Sequence, residues 1–183
     1  MTAPEDTAHP TEGARIEPLF SPVQIQNRVR ELGASLRADL GPGEITLLSI
    51  LKGSFIFTAD LARAIDGPVA IEFLGLASYG VAKESSGVVQ ITHDLTSSIE
   101  GKKVVIVEDI VDTGLTLQYL IRALTARNPE TLKVCALLVK PSGGSPVSPD
   151  YTGFTVGSEF VVGYGLDWAQ RLRNLPFIGA VRE

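Results

Sequence analysis

The residues from 104 to 116, VVIVEDIVDTGLT, join the pattern of a buried strand to a group of acidic and hydroxyl side chains. Four β-branched residues run directly into Glu108 and Asp109, and Asp112 follows three residues later. Carboxylate oxygens accept hydrogen bonds from sugar hydroxyl groups and are also the ligands that Mg²⁺ prefers. The stretch therefore predicts a site for ribose, for Mg²⁺ or for both at the end of a core strand.

The next residues, 113–116, predict a small anion-binding loop. Backbone N–H groups at a helix N-terminus, together with two threonine hydroxyls, can surround a phosphate group. The Walker A pattern is absent from the sequence, which favours a phosphate monoester over a nucleoside triphosphate. Asp112, just before this loop, is placed to reach the reacting carbon of the sugar. Taken alone, an acidic pair after a strand fits a solvated turn about equally well.

Predicted strands and helices alternate along the chain, which is typical of an α/β domain with a largely parallel sheet. A capping box at Ser21 precedes a helix over residues 22–40, with Gly41 and Pro42 ending it. Ser54 is a possible cap for a second helix. Apolar spacing predicts further helices over residues 54–65 and 117–124. Strands are predicted at 44–51, 68–79, 87–95, 104–107, 131–140 and near 154–156.

In a parallel sheet, ligands bind beyond the carboxyl ends of the strands. Polar or glycine-containing loops follow four of the predicted strands, at residues 51–54, 78–80, 108–116 and 140–142. Their common position predicts a single site built from all four loops.

Length and composition narrow the classes of function. The 183 residues are 44% hydrophobic and 20% charged, as in an ordinary globular protein. The length predicts a single domain, over residues 16–183. Residues 1–15 are predicted to be a mobile tail. A net charge of −5 argues against nucleic acid or an anionic membrane as partner. No apolar stretch reaches the roughly 18 residues of a membrane span. A single cysteine, Cys135, excludes an internal disulfide and predicts a cytoplasmic protein.

Five motifs together resemble the type I phosphoribosyltransferase family, most closely its bacterial hypoxanthine-guanine branch. They stand in the family's order across roughly residues 20 to 180: LKGS at 51–54, SYG at 78–80, VVIVEDIVDTGLT at 104–116, LLVK at 137–140 and FVVGYGLDW at 160–168. The resemblance implies a mostly parallel central sheet flanked by helices, with a small hood formed by the N- and C-terminal segments. It also implies purine salvage, in which phosphoribosyl pyrophosphate (PRPP) and hypoxanthine or guanine give the nucleotide and pyrophosphate.

On the sugar side, the resemblance assigns the acids found above to separate tasks. Glu108 and Asp109 would hold the ribose hydroxyls and a Mg²⁺ ion, and Asp112 would be the acid/base group at N7 of the purine. The loop that would wrap the 5′-phosphate consists of Thr113, Gly114, Leu115 and Thr116. Some family members have lysine where this chain has Leu115, so the loop must bind through its backbone N–H groups.

On the pyrophosphate side, the resemblance places Lys52 and Gly53 with Arg173 around the leaving group. It further implies a cis peptide bond between Leu51 and Lys52. Ser78 and Tyr79 would begin a mobile lid over the reacting centre.

On the purine side, Lys140 would donate to the 6-oxo group, Phe160 would stack on the base and the backbone of Val161 would read its exocyclic edge. Asp167 would bind a second Mg²⁺ ion beside the purine. Asp167 is also a candidate N-cap for a helix that the residues WAQRLRNL, 168–175, suggest. Both interpretations of Asp167 remain open from the sequence.

Two other functions share these motifs. One is a sister transferase that prefers xanthine, adenine or a pyrimidine, although Lys140 favours a 6-oxopurine. The other is a regulator that senses PRPP and binds nucleic acid, which the acidic net charge disfavours. The resemblance also suggests a homodimer or homotetramer.

Overall fold

The computed structural model describes residues 15–78, 89–141 and 147–182. The helices are α1 (Pro22–Leu40), α2 (Phe55–Ala64) and α3 (Leu115–Thr125). The strands are β1 (Arg15–Phe20), β2 (Ile45–Leu51), β3 (Val69–Ser78), β4 (Val89–His93), β5 (Lys103–Val111), β6 (Thr131–Val139), β7 (Tyr151–Thr155), β8 (Val161–Val162) and β9 (Ile178–Arg182). Within these residues, no helix is long and apolar enough to cross a membrane.

The central sheet has six strands in the order β4-β3-β2-β5-β6-β7. All neighbouring pairs are parallel except β3 and β4. Helices α1 and α2 cover one face and α3 covers the other, so the middle strands are buried on both sides. Strands buried on both faces have continuous apolar sequences, and VVIV of β5 is an example. The predicted α/β sheet is confirmed, and the carboxyl ends of β2, β5 and β6 lie at the same edge.

The predicted hood is a second, antiparallel sheet in the order β1-β9-β8. The local sequence of β1, RIEPLF, did not predict a strand, because it contains Pro18 and is half exposed. Its partner lies at the other end of the chain. Arg15, the last residue of the predicted tail, belongs to β1 and pairs with Arg182. The rest of that tail, residues 1–14, lies outside the described residues.

The capping box at Ser21 is confirmed. The Gln24 N–H donates to Ser21 Oγ over 3.3 Å, and the Ser21 N–H donates to Gln24 Oε1 over 2.9 Å. This reciprocal pair begins α1 at Pro22, as the sequence predicts.

Ser54 occupies the N-cap position of α2, as the sequence suggests, but its side chain makes no capping hydrogen bond and bonds toward β2. Ser54 Oγ donates to the Ile50 carbonyl over 2.7 Å and lies 2.8 Å from Ser49 Oγ, which also accepts from Thr58 over 2.9 Å. These three hydroxyl side chains are buried. They join the start of α2 to the end of β2, and so fix both ends of the short loop that contains Lys52.

Glu72 of β3 holds the chain after β4 in place. Its carboxylate accepts from the Thr96 N–H over 3.0 Å and from the hydroxyl of Ser97. The Ser97 bond, followed by the Thr96 bonds, lowers the pKa of Glu72 despite its burial.

A carboxyl group with a lowered pKa in the folded state stabilises the fold above its unfolded pKa of about 4.3 and loses this contribution as the pH falls. We therefore expect Glu72→Gln to lower the free energy of unfolding at pH 7 by about 1 kcal/mol. Below about pH 5, the free energy of unfolding of the variant should decrease less steeply with falling pH than that of the wild type. Denaturant titrations from pH 3 to pH 7 measure this, with Glu100→Gln as the exposed control. An unchanged pH dependence in Glu72→Gln would contradict the prediction.

Candidate active site

Three cavities meet at the carboxyl edge of the central sheet, and Asp112 lines all of them. The first, about 130 Å³, is bounded by Glu108 and residues 110–114, 116 and 117. The second, about 350 Å³, is bounded by Asp112, Lys140, Pro141, Gly157 and Ser158. The third, about 240 Å³, is bounded by Asp109, Ile110, Asp112, Lys140, Phe160, Val161, Leu166 and Asp167. The structure thus brings together loops that are far apart in the sequence.

The first cavity lies against the N-terminus of α3. Gly114 precedes the helix in the left-handed conformation, at φ 72° and ψ 0°, which favours glycine. As a glycine, the N-cap residue Gly114 has no side chain with which to cap the helix, and the Gln118 N–H donates to the Gly114 carbonyl over 2.9 Å. The N–H groups of the preceding helical residues have no carbonyl available within the helix and carry the positive end of its dipole. With Thr113 and Thr116 in the wall, the cavity has the chemistry of an anion site.

Two neighbouring carboxylates near the end of β5 are shielded from solvent to different degrees, since Glu108 is buried and Asp109 is partly buried. Glu108 is only 7% exposed, and burial together with the charge of Asp109 raises its pKa well above the ordinary value. Burial also raises the pKa of Asp109, while the Ile110 N–H, which donates to Asp109 Oδ1 over 2.8 Å, opposes this shift. Burying two acids is unfavourable unless hydrogen-bond donors or a cation reach them.

The acids do not form a complete metal site by themselves. Among the described residues, no group of three or more His, Cys, Asp or Glu side chains is arranged to hold a metal ion. Mg²⁺ often binds to one or two protein carboxylates and takes its other ligands from substrate oxygens and water. Glu108 and Asp109 fit this kind of shared site.

The loop after β2 packs directly on Asp109. A Cβ atom built on Gly53 would lie 1.5 Å from Asp109 Oδ2, so only glycine fits here. A Cβ on Gly165 would lie 2.1 Å from the Gly53 carbonyl oxygen, and Gly165 also has a φ of 104°. The expected cis peptide bond between Leu51 and Lys52 is present. Two glycines therefore allow three backbone segments of the site to approach one another.

The helix suggested for residues 168–175 is wrong. Trp168 and Arg171 exchange backbone hydrogen bonds of 3.0 Å around a tight turn. Ala169, Gln170 and Leu172 have φ values of 50°, 65° and 71°, which a right-handed helix does not allow. The residues after Asp167 suggested a capped helix, but the backbone follows a turn.

Asp167 stabilises this turn and holds an arginine. Its Oδ2 accepts from the Gln170 N–H over 2.8 Å, and its Oδ1 pairs with Arg173 Nη2 over 2.7 Å. Arg173 Nη1 also donates to the Gly165 carbonyl over 2.7 Å. The charge of Arg173 lowers the pKa of Asp109 and partly offsets the effect of burial. Arg173, 18% exposed in its side chain, is thus a fixed cation close to the buried acid.

The third cavity has an aromatic and a cationic wall. Phe160 is 53% exposed, and its ring meets Trp168 edge-on at 6.1 Å between centroids. Val161 is buried in β8 and pairs with Ala180, which fixes the backbone next to Phe160. The Lys140 N–H donates to the Val111 carbonyl over 2.9 Å, which places Lys140 beside the end of β5.

The predicted lid residues lie at the limit of the described chain. Ser78 is the last residue of β3, and its side chain is outside the described residues, as is all of Tyr79. Their role remains a prediction.

Sequence reasoning missed several residues of the site. Gln170 contacts both Lys52 and Arg173, and Trp168 supports Phe160. Gly165, a second glycine two residues after Gly163, is a sequence signal for close backbone packing at this point. No comparable signal marked Gln170, because its contacts depend on the turn.

The fold and the site define a transferase of phosphoribosyl groups, and comparison with known proteins agrees. A family model described as a phosphoribosyl transferase domain matches residues 22–168. The hypoxanthine-guanine phosphoribosyltransferase of Mycobacterium avium is 46% identical over 171 residues, which are 89% of this chain and 84% of that relative. The enzyme of the same name from Bacillus subtilis strain 168 is 44% identical, over 90% of this chain and 92% of that relative.

A solved structure gives the same result. The crystal structure of a hypoxanthine-guanine phosphoribosyltransferase from Bacillus anthracis, with HEPES in its active site, matches with a TM-score of 0.87 and 42% identity. The match covers 92% of this chain and all of that one. The chain therefore belongs to the phosphoribosyltransferase family and, within it, to the group of hypoxanthine-guanine phosphoribosyltransferases.

Proposed function

We propose that this chain transfers the 5-phosphoribosyl group from PRPP to N9 of hypoxanthine or guanine, giving IMP or GMP and pyrophosphate. The observation that carries the proposal is the position of Asp112. It lies between the anion cavity at the start of α3 and the cavity walled by Lys140 and Phe160. A sugar phosphate on one side and a base on the other would meet at this residue. The names of the relatives support a 6-oxopurine as the base.

The sugar phosphate of PRPP fits the first cavity. The backbone N–H groups and hydroxyls of residues 113–116 surround the 5′-phosphate, and the positive end of the α3 dipole favours its charge. Glu108 and Asp109 then accept from the ribose hydroxyls. These hydrogen bonds would offset the burial that raises the pKa of both carboxyl groups.

Asp112 serves as the acid/base group of the transfer. As N9 of the purine forms its bond to C1′, the bond from C1′ to the pyrophosphate oxygen breaks and its electron pair leaves with the pyrophosphate. The positive charge that remains on the base is relieved when the proton on N7 passes to the Asp112 carboxylate. A positioned acid/base group contributes about 10²- to 10⁴-fold to such a step.

The departing pyrophosphate is stabilised by fixed positive charge. Lys52, the N–H of Gly53 and Arg173 lie at one edge of the site, next to Asp109. Glu108 and Asp109 would hold one Mg²⁺ ion and Asp167 a second. Bound Mg²⁺ neutralises the developing charge on the leaving group. Preorganised charge of this kind acts most strongly where water is excluded.

The purine fits the third cavity. Phe160 offers an exposed ring face for stacking, Lys140 donates to the 6-oxo group and the backbone of Val161 meets the exocyclic edge. We propose that the segment starting at Ser78 and Tyr79 closes over the reacting carbon. Excluding water there prevents the hydrolysis of PRPP.

Three further proposals concern the whole molecule. We propose that residues 16–183 form one domain, that the protein acts in the cytoplasm and that it assembles as a homodimer or homotetramer. The single cysteine supports a reducing compartment. Burial raises the pKa of Cys135 to about 12, so the thiol stays protonated and inert.

The test is a pyrophosphate-release assay with PRPP, Mg²⁺ and a panel of hypoxanthine, guanine, xanthine, adenine and uracil. We expect turnover with hypoxanthine or guanine, and little or none with adenine or uracil, which lack the 6-oxopurine pattern. Fastest turnover with xanthine would identify the sister transferase. No turnover with any 6-oxopurine, together with measurable RNA binding, would overturn the proposal in favour of a regulator.

A further inference from the structure

The side chain of Gln170 lies between two cations of the site. Its Oε1 accepts from Lys52 Nζ over 3.4 Å and from Arg173 Nη2 over 3.3 Å. Both partners are donors without acceptor capacity, so the oxygen of the amide and not its nitrogen faces them. One neutral side chain thus joins the loop after β2 to the turn before β9.

The backbone of Gln170 is held in an unusual conformation. Its N–H donates to Asp167 Oδ2, and its φ of 65° lies in the left-handed region. Glycine and asparagine adopt this conformation more readily than glutamine. Ala169 and Leu172 share this conformation in the same turn, so the feature that distinguishes Gln170 is the pair of contacts made by its side chain.

We propose that Gln170 is a positioning residue for the pyrophosphate end of the site. This inference rests on the proposed function, in which Lys52 and Arg173 face the leaving group. Arg173 is also held by Asp167 and by the Gly165 carbonyl. Lys52 is exposed, and its contact with Gln170 sets the direction of its ammonium group.

A neutral acceptor suits this task better than a charged one. Two like charges close together repel each other, and an amide oxygen offsets this repulsion with two hydrogen bonds. Because the amide carries no net charge, it adds no second carboxylate beside Arg173, which already pairs with Asp167. A carboxylate in its place would compete with the pyrophosphate for the same cations.

The variant Gln170→Asn distinguishes the role of the Gln170 side chain from that of the turn. Asparagine accepts the left-handed conformation but is one methylene shorter, so the variant keeps the turn and loses the bridge. We expect the KM for PRPP and the inhibition constant of magnesium pyrophosphate to rise about fivefold, with kcat and the KM for hypoxanthine within about twofold of the wild type. Gln170→Met, which keeps the length without an acceptor, should behave in the same way.

Ala169→Gly is the matched control. Ala169 occupies the neighbouring left-handed position of the same turn, at φ 50°. Glycine adopts this conformation more readily than alanine, and the change leaves the side-chain amide of Gln170 in place. Its KM for PRPP should equal that of the wild type. The inference is overturned if Gln170→Asn leaves the KM for PRPP unchanged, if Ala169→Gly raises it equally, or if the KM for hypoxanthine rises in parallel.

Different results contradict the proposed function and the role of Gln170. A wild-type protein that releases no pyrophosphate with any 6-oxopurine contradicts the proposed function. Normal wild-type turnover with an unaffected Gln170→Asn variant removes only the role of Gln170.

Discussion

Asp112→Asn is expected to lower kcat by about 10²- to 10³-fold and to leave the KM for PRPP within about threefold of the wild-type value. Asparagine has nearly the same shape as aspartate, so the walls of the three cavities keep their form. It cannot take up the N7 proton, and the positive charge on the purine then has no nearby acceptor. The side chain of Asp112 is exposed, so the change should not affect folding.

Steady-state formation of IMP measures the effect, and thermal unfolding checks the fold. Asp66→Asn is the matched control, since Asp66 is an exposed aspartate between α2 and β3, away from the carboxyl edge of the sheet. The control should retain wild-type kcat. Unchanged turnover in Asp112→Asn would remove this residue from its acid/base role, whereas a large rise in the KM for PRPP would indicate a binding role instead.

Gly53→Ala is expected to lower kcat/KM for PRPP by about 100-fold. The new methyl group would lie 1.5 Å from Asp109 Oδ2, so either the carboxylate or the loop must move. Asp109 is held by the Ile110 N–H, and the other side of Gly53 is covered by Gly165. A shift of about 1 Å in the loop would misplace the pyrophosphate relative to the ribose, and misplacement of this size costs roughly two orders of magnitude in rate.

Gly41→Ala separates this effect from a general loss of stability. Gly41 ends α1 at φ 67°, so alanine is strained there, but a Cβ atom would contact nothing within 4 Å. We expect Gly41→Ala to lower the free energy of unfolding by about 1 kcal/mol without changing kcat/KM. If Gly53→Ala shows no larger loss of kcat/KM than Gly41→Ala, the close packing of Gly53 on Asp109 does not matter for activity.

Much of the site was predictable because its signals are local. The apolar run VVIV specifies a buried strand wherever it lies in a parallel sheet, and the acids and hydroxyls that follow must then appear at its carboxyl end. The capping box at Ser21 likewise acts within four residues, between Ser21 and Gln24. Local hydrogen bonds and periodic burial depend on neighbouring residues alone, so the sequence is sufficient to predict them.

Contacts between distant segments were not predictable in this way. The strand β1 exists because Arg15–Phe20 pairs with Ile178–Arg182 at the other end of the chain. The side chain of Ser54 bonds to β2 and does not cap α2, because packing of α2 on the sheet places Ser49 within reach. Residues 168–175 form a turn and not the suggested helix, because left-handed residues and the hydrogen bonds of Asp167 shape the backbone.

The sequence by itself determined the alternation of strands and helices in the central sheet, the chemistry at the edge of that sheet and the likeness to phosphoribosyltransferases. Only the tertiary structure shows how the two cations, Lys52 and Arg173, are arranged. It also gives the reason for the two glycines, Gly53 and Gly165, which is close packing. Lys52 and Gln170 are 118 residues apart, and the contact of Gly53 with Asp109 joins the loop after β2 to β5. Such distances are set by how the sheet and its loops pack, because backbone and side chains from several segments must share one small volume.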